Sequence, residues 1–339
     1  MLQSCLARLV EGTDLSVTEA REAMGAIMSG QATEAQIAGF LVALRMKGET
    51  VDEITGCALA MRSAATPIDA GGLDVVDTCG TGGTRKGTLN VSTAAALVSA
   101  GAGVPVAKHG NRGASASWGS ADVLEALGVD IDAEPAVVER CIREAGIGFL
   151  FAPALHKAMR FAIGPRRQLA VRTVFNILGP LTNPSGARRQ LLGVFAEELV
   201  EPMARVLMNL GAVRAMVVHS RDGMDEISLC AETVVADVCD GAVTMGSLRP
   251  EDLGLARARR GDLVVGGVRE SVRAIRGVLD GRPGPHRDMV LLNAGAAICV
   301  GGRAESVADG MRAAAESVES GAAREALRKL IEVSHQAAS

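Results

Sequence analysis

Asp77-Thr78-Cys79-Gly80-Thr81-Gly82-Gly83-Thr84, continued by Asn90-Val91-Ser92-Thr93, is the stretch on which the fold turns. A short apolar run, Leu73-Asp74-Val75-Val76, precedes it and reads as a strand. A helix-like run from about Ser92 to Ala100 follows it. The same order then repeats. Val104-Pro105-Val106-Ala107 is a second strand candidate, Lys108-His109-Gly110-Asn111-Arg112 a second glycine turn, and Gly119-Ser120-Ala121-Asp122 opens a helix that runs from about Ala121 to Leu127. Strand, turn and helix in repetition predict a parallel α/β sheet. A glycine turn between a strand and a helix is where backbone N–H groups and the helix dipole converge on an anion.

Neither turn is a standard nucleotide motif. The first lacks GxxxxGK[ST], and Gly80-x-Gly82 is followed by Gly83, Thr84 and Arg85 and does not complete GxGxxG. Its context points to phosphate over a plain tight turn. Asn90, Ser92 and Thr93 supply polar side chains where a helix start would present N–H groups. The second turn adds Lys108 as a point charge, His109, Asn111 and Arg112 as polar groups, and Ser115, Ser117 and Ser120 behind them. Its bland alternative is a solvated loop with a capping serine.

Upstream, the first seventy residues read as helices. Ser16 with Glu19, Thr33 with Gln36, and Thr50 with Glu53 are capping boxes, and Gly30 and Gly48 stand where the first two of those helices should stop. Ile37, Phe40, Leu41 and Leu44 share one face of the middle helix as a packing stripe. Downstream, Glu134–Leu169 reads as mostly helical. Strand candidates return at Gln190–Phe195 and Ala215–His219, with the amphipathic run Glu198–Leu210 between them. Val234–Met245 reads as a β-ribbon, and helices should dominate after Val268. The fold expected is α/β: a small helical domain over residues 1–70 with roughly 131–185, discontinuous in sequence, and a larger domain over 71–130 and 186–339 with a mostly parallel central sheet.

Composition narrows the classes. The chain has 339 residues, of which 48% are hydrophobic, so a large core is affordable. Aromatics make up only 2% and tyrosine is absent, so Ala, Val, Leu, Ile and Met must build that core. A formal charge of −4 with so few stacking rings argues against nucleic acid. Seven scattered cysteines without a CxxC argue against a zinc site or a disulfide framework and for a reducing cytoplasm. Cys79 could be a reactive thiol, but no His or second Cys stands near it in sequence. The start lacks a basic n-region, and no apolar run approaches membrane-spanning length.

Two further stretches carry chemistry. Asp222-Gly223-Met224-Asp225-Glu226 follows a strand-like run, and adjacent carboxylates there could hold Mg²⁺ together with substrate oxygens. Alone, such a pair is more often a solvated surface feature. Phe151-Ala152-Pro153-Ala154-Leu155-His156 leads to Arg166-Arg167 and then to Arg172-Thr173-Val174-Phe175-Asn176-Ile177-Leu178-Gly179-Pro180-Leu181-Thr182-Asn183-Pro184. Arg166 could grip a carboxylate bidentately or lie on a helix surface, and His156 could equally be a capping or core histidine.

Taken in this order, GTGG with N-x-S-T, KHGNR with GSADVLEALG, and FNILGPLTNP closely resemble the anthranilate phosphoribosyltransferase family, over nearly the whole chain as far as Asp288-Met289-Val290-Leu291-Leu292-Asn293-Ala294. The resemblance implies a helical and an α/β domain with the site between them, and a homodimer joined through the helical domains. It implies transfer of phosphoribose from phosphoribosyl pyrophosphate to the amine of anthranilate with Mg²⁺, in tryptophan biosynthesis. By position, Gly80, Gly83, Thr84, Thr88, Asn90, Val91, Ser92, Thr93, Lys108 and Ser120 would meet phosphoribosyl pyrophosphate. Gly80, Asn111, His156 and Arg166 would meet anthranilate. Ser92, Asp225 and Glu226 would bind metal, and Lys108, Asn111 and Arg166 would carry catalysis. The alternatives are a nucleoside phosphorylase of the same fold and a non-catalytic nucleic-acid binder. The family pattern is broken at Thr84, where Asp is usual, and at Ser220 and Ala170, where Gly is usual. Thr84 removes a carboxylate beside the phosphates, and Ala170 is expected to be a minor packing change.

Overall fold

The computed structural model describes residues 2–82, 87–113 and 118–337. Gly83, Thr84, Arg85, Lys86, Ser115 and Ser117 lie outside these, so the expectations placed on them stay with the sequence. No described helix is long and apolar enough to cross a membrane.

Four helices open the chain: α1 (Leu2–Val10), α2 (Val17–Met28), α3 (Glu34–Lys47) and α4 (Val51–Ala64). All three capping boxes form, each with reciprocal side-chain and backbone bonds. Gly30 follows the end of α2 with φ 74°, and Gly48 caps α3 with φ 91°. Ile37, Phe40, Leu41 and Leu44 are buried together with Met24, Ile27 and Ile54 in one apolar cluster.

The remaining elements are β1 (Val76–Gly80), α5 (Val91–Gly101), β2 (Val106–Gly110), α6 (Ser120–Leu127), α7 (Pro135–Ala145), β3 (Ile147–Phe151), α8 (Ala152–Leu155), α9 (Arg160–Leu169), α10 (Phe175–Leu178), β4 (Arg189–Gly193), α11 (Val200–Asn209), β5 (Arg214–Ser220), β6 (Thr233–Cys239), β7 (Ala242–Leu248), α12 (Val268–Leu279), α13 (Pro285–Val300), α14 (Val307–Glu319) and α15 (Ala322–Ser334). The strands form one sheet in the order β3-β2-β1-β4-β5-β6-β7. The pairs from β3 through to β5 are parallel, and β6 and β7 are added antiparallel. Asp240-Gly241, both with positive φ, turn β6 into β7, as a two-residue hairpin requires.

Alternation along the strands splits the core between two faces. Leu191, Met216, Val218 and Val235 point to a cluster that includes α5 and α13. Leu192, Val217, Ala236 and Val238 point to one that includes α11 and the helical bundle. The run Met289–Val300 of α13 is buried on every side, the pattern of a helix inside a core.

Three boundaries differ from the sequence expectation. β1 and β2 begin later than Leu73 and Val104 and run through Asp-Thr-Cys-Gly and Lys-His-Gly, residues read as turn. The glycine turns proper therefore begin at Thr81 and Asn111. The stretch 131–185, assigned wholly to the helical domain, divides: Val137, Cys141 and Ile147 join the sheet core, while Ala162, Val174, Phe175 and Leu181 pack with the helical bundle. Its strand β3 went unread because Ile147-Gly148-Phe149-Leu150-Phe151 is a nearly unbroken apolar run, and such a run does not separate strand from buried helix by periodicity. Ala170 caps α9 in the left-handed region, φ 51° and ψ 23°. The usual glycine there serves the backbone, and an alanine costs about 1–2 kcal/mol.

Candidate active site

Four loops leave the same edge of the sheet. β1 ends at Gly80, β2 at Gly110, β4 at Gly193 and β5 at Ser220. β1 lies between β2 and β4, where the strand order reverses direction, and ligands of open α/β sheets settle outside the carboxyl ends of strands at such a point. Close approach dictates the glycines. Gly80 and Gly193 are register partners, and a Cβ on either would collide with Asp225. A Cβ on Gly110 would strike the Ser120 hydroxyl, and one on Gly119 the Asn111 carbonyl.

Beneath the turns lies a buried polar layer. Lys108 is 1% exposed; its Nζ donates to the Thr78 carbonyl at 2.6 Å and to Ser92 Oγ at 3.1 Å. Asp77 accepts from the His109 N–H at 3.1 Å. Burial lowers the Lys108 ammonium and raises the Asp77 carboxyl from their usual ranges, and the attraction between the two opposes both shifts. Asn90 caps α5, accepting from Thr93 N–H at 3.2 Å. Thr93 is fully buried and its hydroxyl has no partner among the described residues; Val91 is buried as well, so only its backbone can meet a ligand. Thr88 pairs with Val264 as a lone β-bridge. Arg112, read as one of the polar groups of the second turn, pairs with Asp122 at 3.1 Å and Glu125 at 2.7 Å. Asp122 also accepts from Gly113 and Gly119 N–H, both at 2.8 Å, so these residues brace the second turn.

The Asp222–Glu226 loop folds over the first turn. Asp225 Oδ2 accepts from Gly82 N–H at 2.9 Å, which ties the acidic loop to the turn. Asp222 is held away by Ser228 Oγ at 2.8 Å. Glu226 is different: its Oε2 is out of solvent with no hydrogen-bond partner among the described residues. Burial raises its carboxyl well above the carboxylate range, and Asp225 and Asp222 add to the effect. An unpaired buried carboxylate oxygen beside a second carboxylate fits a divalent cation. Among the described residues no group of three His, Cys, Asp or Glu gathers, so substrate oxygens would have to complete the shell, as suits Mg²⁺.

On the opposite side His156 Nε2 meets His109 Nε2 at 3.2 Å. Burial pushes His109 down to about 3, with His156 adding to it, and pushes His156 down to about 4. Both rings are neutral when native and charged when unfolded below about pH 6.5. The unfolded chain therefore binds more protons, and stability falls as pH drops from about 6.5 toward about 4. His156→Gln should remove about one proton from this dependence, roughly 1.4 kcal/mol per pH unit, in urea unfolding compared at about pH 7 and about pH 5. An unchanged slope would contradict burial of a neutral pair. Arg166 of α9 lies over the Phe175 ring at 4.9 Å, half-buried and in no ion pair among the described residues; burial lowers its pKa.

Thus the structure joins Gly80 to Asp225, Lys108 to Ser92, Gly110 to Ser120 and His156 to His109, while Asn111 is exposed at the mouth of the second turn. Sequence reading missed Gln190, whose Nε2 donates to the Pro180 carbonyl at 2.6 Å and to Cys79 Sγ at 3.0 Å. It also missed Gly193 and the 263–265 segment, where Val265 N–H donates to the Gly87 carbonyl at 2.7 Å. Gly193 is visible only once the register of β1 and β4 is known. Burial also raises the Cys79 thiol well above its usual value, so it is protonated and inert.

The geometry has known counterparts. The glycosyl transferase family a/b domain matches residues 72–324, and the helical bundle domain of that family matches residues 3–65. Anthranilate phosphoribosyltransferase of Syntrophotalea carbinolica is 53% identical over 98% of this chain and 99% of its own length. The enzyme of Thioalkalivibrio sulfidiphilus is 54% identical over 97% and 98%. The crystal structure of anthranilate phosphoribosyltransferase from Thermus thermophilus superposes with a TM-score of 0.93 at 45% identity, over 98% of this chain and 99% of that one. The Saccharomyces cerevisiae enzyme in complex with phosphoribosyl pyrophosphate and Mg superposes with a TM-score of 0.88 at 28% identity, over 98% and 97%. Identity of this extent, over nearly the whole chain, means that the chain belongs to the anthranilate phosphoribosyltransferase family.

Proposed function

We propose that the protein transfers phosphoribose from phosphoribosyl pyrophosphate to anthranilate, releasing pyrophosphate, as a step of tryptophan biosynthesis. The observation that carries this reading is the joint between Asp225 and Gly82 with the Glu226 oxygen left unpaired beside it. That joint supports a phosphate-binding first turn with a metal-binding carboxylate pair beside it. Pyrophosphate lies across the first turn, near Thr88, and the start of α5, where Ser92 and Thr93 present N–H groups; an anion there takes the Thr93 N–H from Asn90. Lys108 sets a positive charge under the leaving oxygens and Ser120 closes the second turn on them. Ser92, Asp225 and Glu226 would hold Mg²⁺, which supplies positive charge to the leaving pyrophosphate.

Anthranilate is a poor nucleophile, because its amine lone pair is delocalised into the ring, so positioning carries much of the rate. Arg166 grips the carboxylate, Asn111 and Gly80 border the ring, and the neutral His156–His109 pair lines the channel without repelling the amine. The amine nitrogen bonds to C1 of the ribose as the bond from C1 to pyrophosphate breaks. The nitrogen then gives up its proton to the substrate's own carboxylate. A phosphorylase reading needs phosphate and a nucleoside, and gives Arg166 no carboxylate to bind. Pyrophosphate release that depends on anthranilate, with no base released from thymidine or uridine under phosphate, supports transfer; the reverse pattern contradicts it.

A homodimer joined through the helical bundle belongs to the same reading. It is supported by the exposure of Val10 and Met46 there, at 73% and 83%. A monomeric mass in sedimentation at micromolar concentration would remove it. Seven unpaired cysteines support a reducing cytoplasm.

A further inference from the structure

We propose that the cleft between α12 and the start of α13 is a second anion site, which takes a small phosphate-bearing molecule and acts on the first glycine turn. The cleft measures about 400 Å³ and adjoins another of about 520 Å³ at the start of α12, sharing Glu270 and Arg273 with it. Although the chain is net acidic, Arg273, Arg282, His286 and Arg287 gather here against the single carboxylate Glu270. That carboxylate is tied to the Gly266 N–H at 2.6 Å. Among the described residues Arg273 and Arg282 form no ion pair. Arg287 pairs through Nη2 with Glu319 at 2.9 Å, but among the described residues its Nε is out of solvent with no partner, and so is His286 Nε2.

Two other features agree. α13, 16 residues long, starts at Gly284-Pro285 without a side-chain cap, and Gly284, Pro285, His286 and Arg287 line the cleft, so its positive dipole end borders it. Val265, Val278 and Pro285 give the cleft an apolar floor that suits a carbon skeleton below a phosphate. Val264 and Val265 are at once lining of the cleft and partners of Thr88 and Gly87. An occupant that holds this segment therefore biases the first turn, and the linkage is reciprocal. Trp118, the only tryptophan, stands against Gly87 and reports on that joint.

The test is equilibrium dialysis of labelled inorganic phosphate against enzyme saturated with phosphoribosyl pyrophosphate and Mg²⁺, so that the substrate site is filled. We expect one phosphate per chain, binding at least tenfold weaker after Arg273→Ala with Arg282→Ala, and unchanged after Arg276→Ala on the same helix. Transfer activity without added phosphate should be unaltered in the double variant. Phenyl phosphate should bind tighter than inorganic phosphate, and phosphate should change Trp118 emission in the parent but not in the double variant. No phosphate bound to the saturated parent, or equal binding by the double variant, overturns the site. Binding with no emission change overturns its link to the turn, and phenyl phosphate binding no tighter overturns the apolar floor. Two phosphates per chain under saturation, one of them lost in the double variant, would speak against the substrate assignment and leave the cleft standing.

Discussion

Replacing Arg166 by alanine should lower kcat/KM for anthranilate by about 100-fold while leaving the KM for phosphoribosyl pyrophosphate nearly unchanged. That factor is the lower end of what losing two hydrogen bonds to a charged carboxylate implies, since each is worth about 1.5–3 kcal/mol and about 1.4 kcal/mol is tenfold. The structure makes Arg166 suitable for this. It is half-buried on α9, stacked on Phe175, and in no ion pair among the described residues, so its fork is free for a ligand. Folding should lose little, because only a cation–π contact of about 0.5–1 kcal/mol disappears. Arg166→Lys keeps the charge but not the fork, and should recover only part of the loss. Steady-state kinetics with each substrate varied in turn give the answer; an unchanged anthranilate KM in the alanine variant would remove the carboxylate clamp.

The second large effect is expected from Asp225→Asn combined with Glu226→Gln. Half-maximal activity should move to at least about tenfold higher Mg²⁺, and kcat/KM for phosphoribosyl pyrophosphate should fall by about two orders of magnitude, since two negative ligands leave a cation of hard-oxygen preference. The fold should survive. The amide oxygen that Asp225→Asn leaves in place can still accept from the Gly82 N–H, and Glu226 Oε2 has no hydrogen-bond partner among the described residues for Glu226→Gln to break. Asp222→Asn is the control, because that carboxylate is already bound to Ser228. A metal titration identical to the parent's would exclude the pair from the site.

Local signals carried the fold far. Capping boxes, glycine stops and the Ile37–Leu44 stripe placed the helical bundle, because a helix end is written within about four residues. The strands were harder at their ends. Asp77, Thr78, Lys108 and His109 look like loop residues until Lys108 is seen donating to Thr78 and Asp77 accepting from His109 across paired strands. Those partners lie 30 and 32 residues apart, and nothing within either segment announces them. The pairing of Arg112 was hidden for the same reason: its partners Asp122 and Glu125 become neighbours only when α6 turns back on the loop. The acidic loop was legible as residue types, but not the asymmetry within it. Asp225 is bonded to Gly82, while Glu226 keeps an unpaired buried oxygen. The strap at 263–265 had no sequence signal, since it acts through backbone atoms alone.

Anthranilate is fluorescent, and its consumption can be followed directly. With phosphoribosyl pyrophosphate and Mg²⁺ present, the purified protein should deplete the anthranilate signal in proportion to pyrophosphate released. Omitting either phosphoribosyl pyrophosphate or Mg²⁺ should abolish the depletion. An anthranilate signal that stays constant with all three components present would contradict the account.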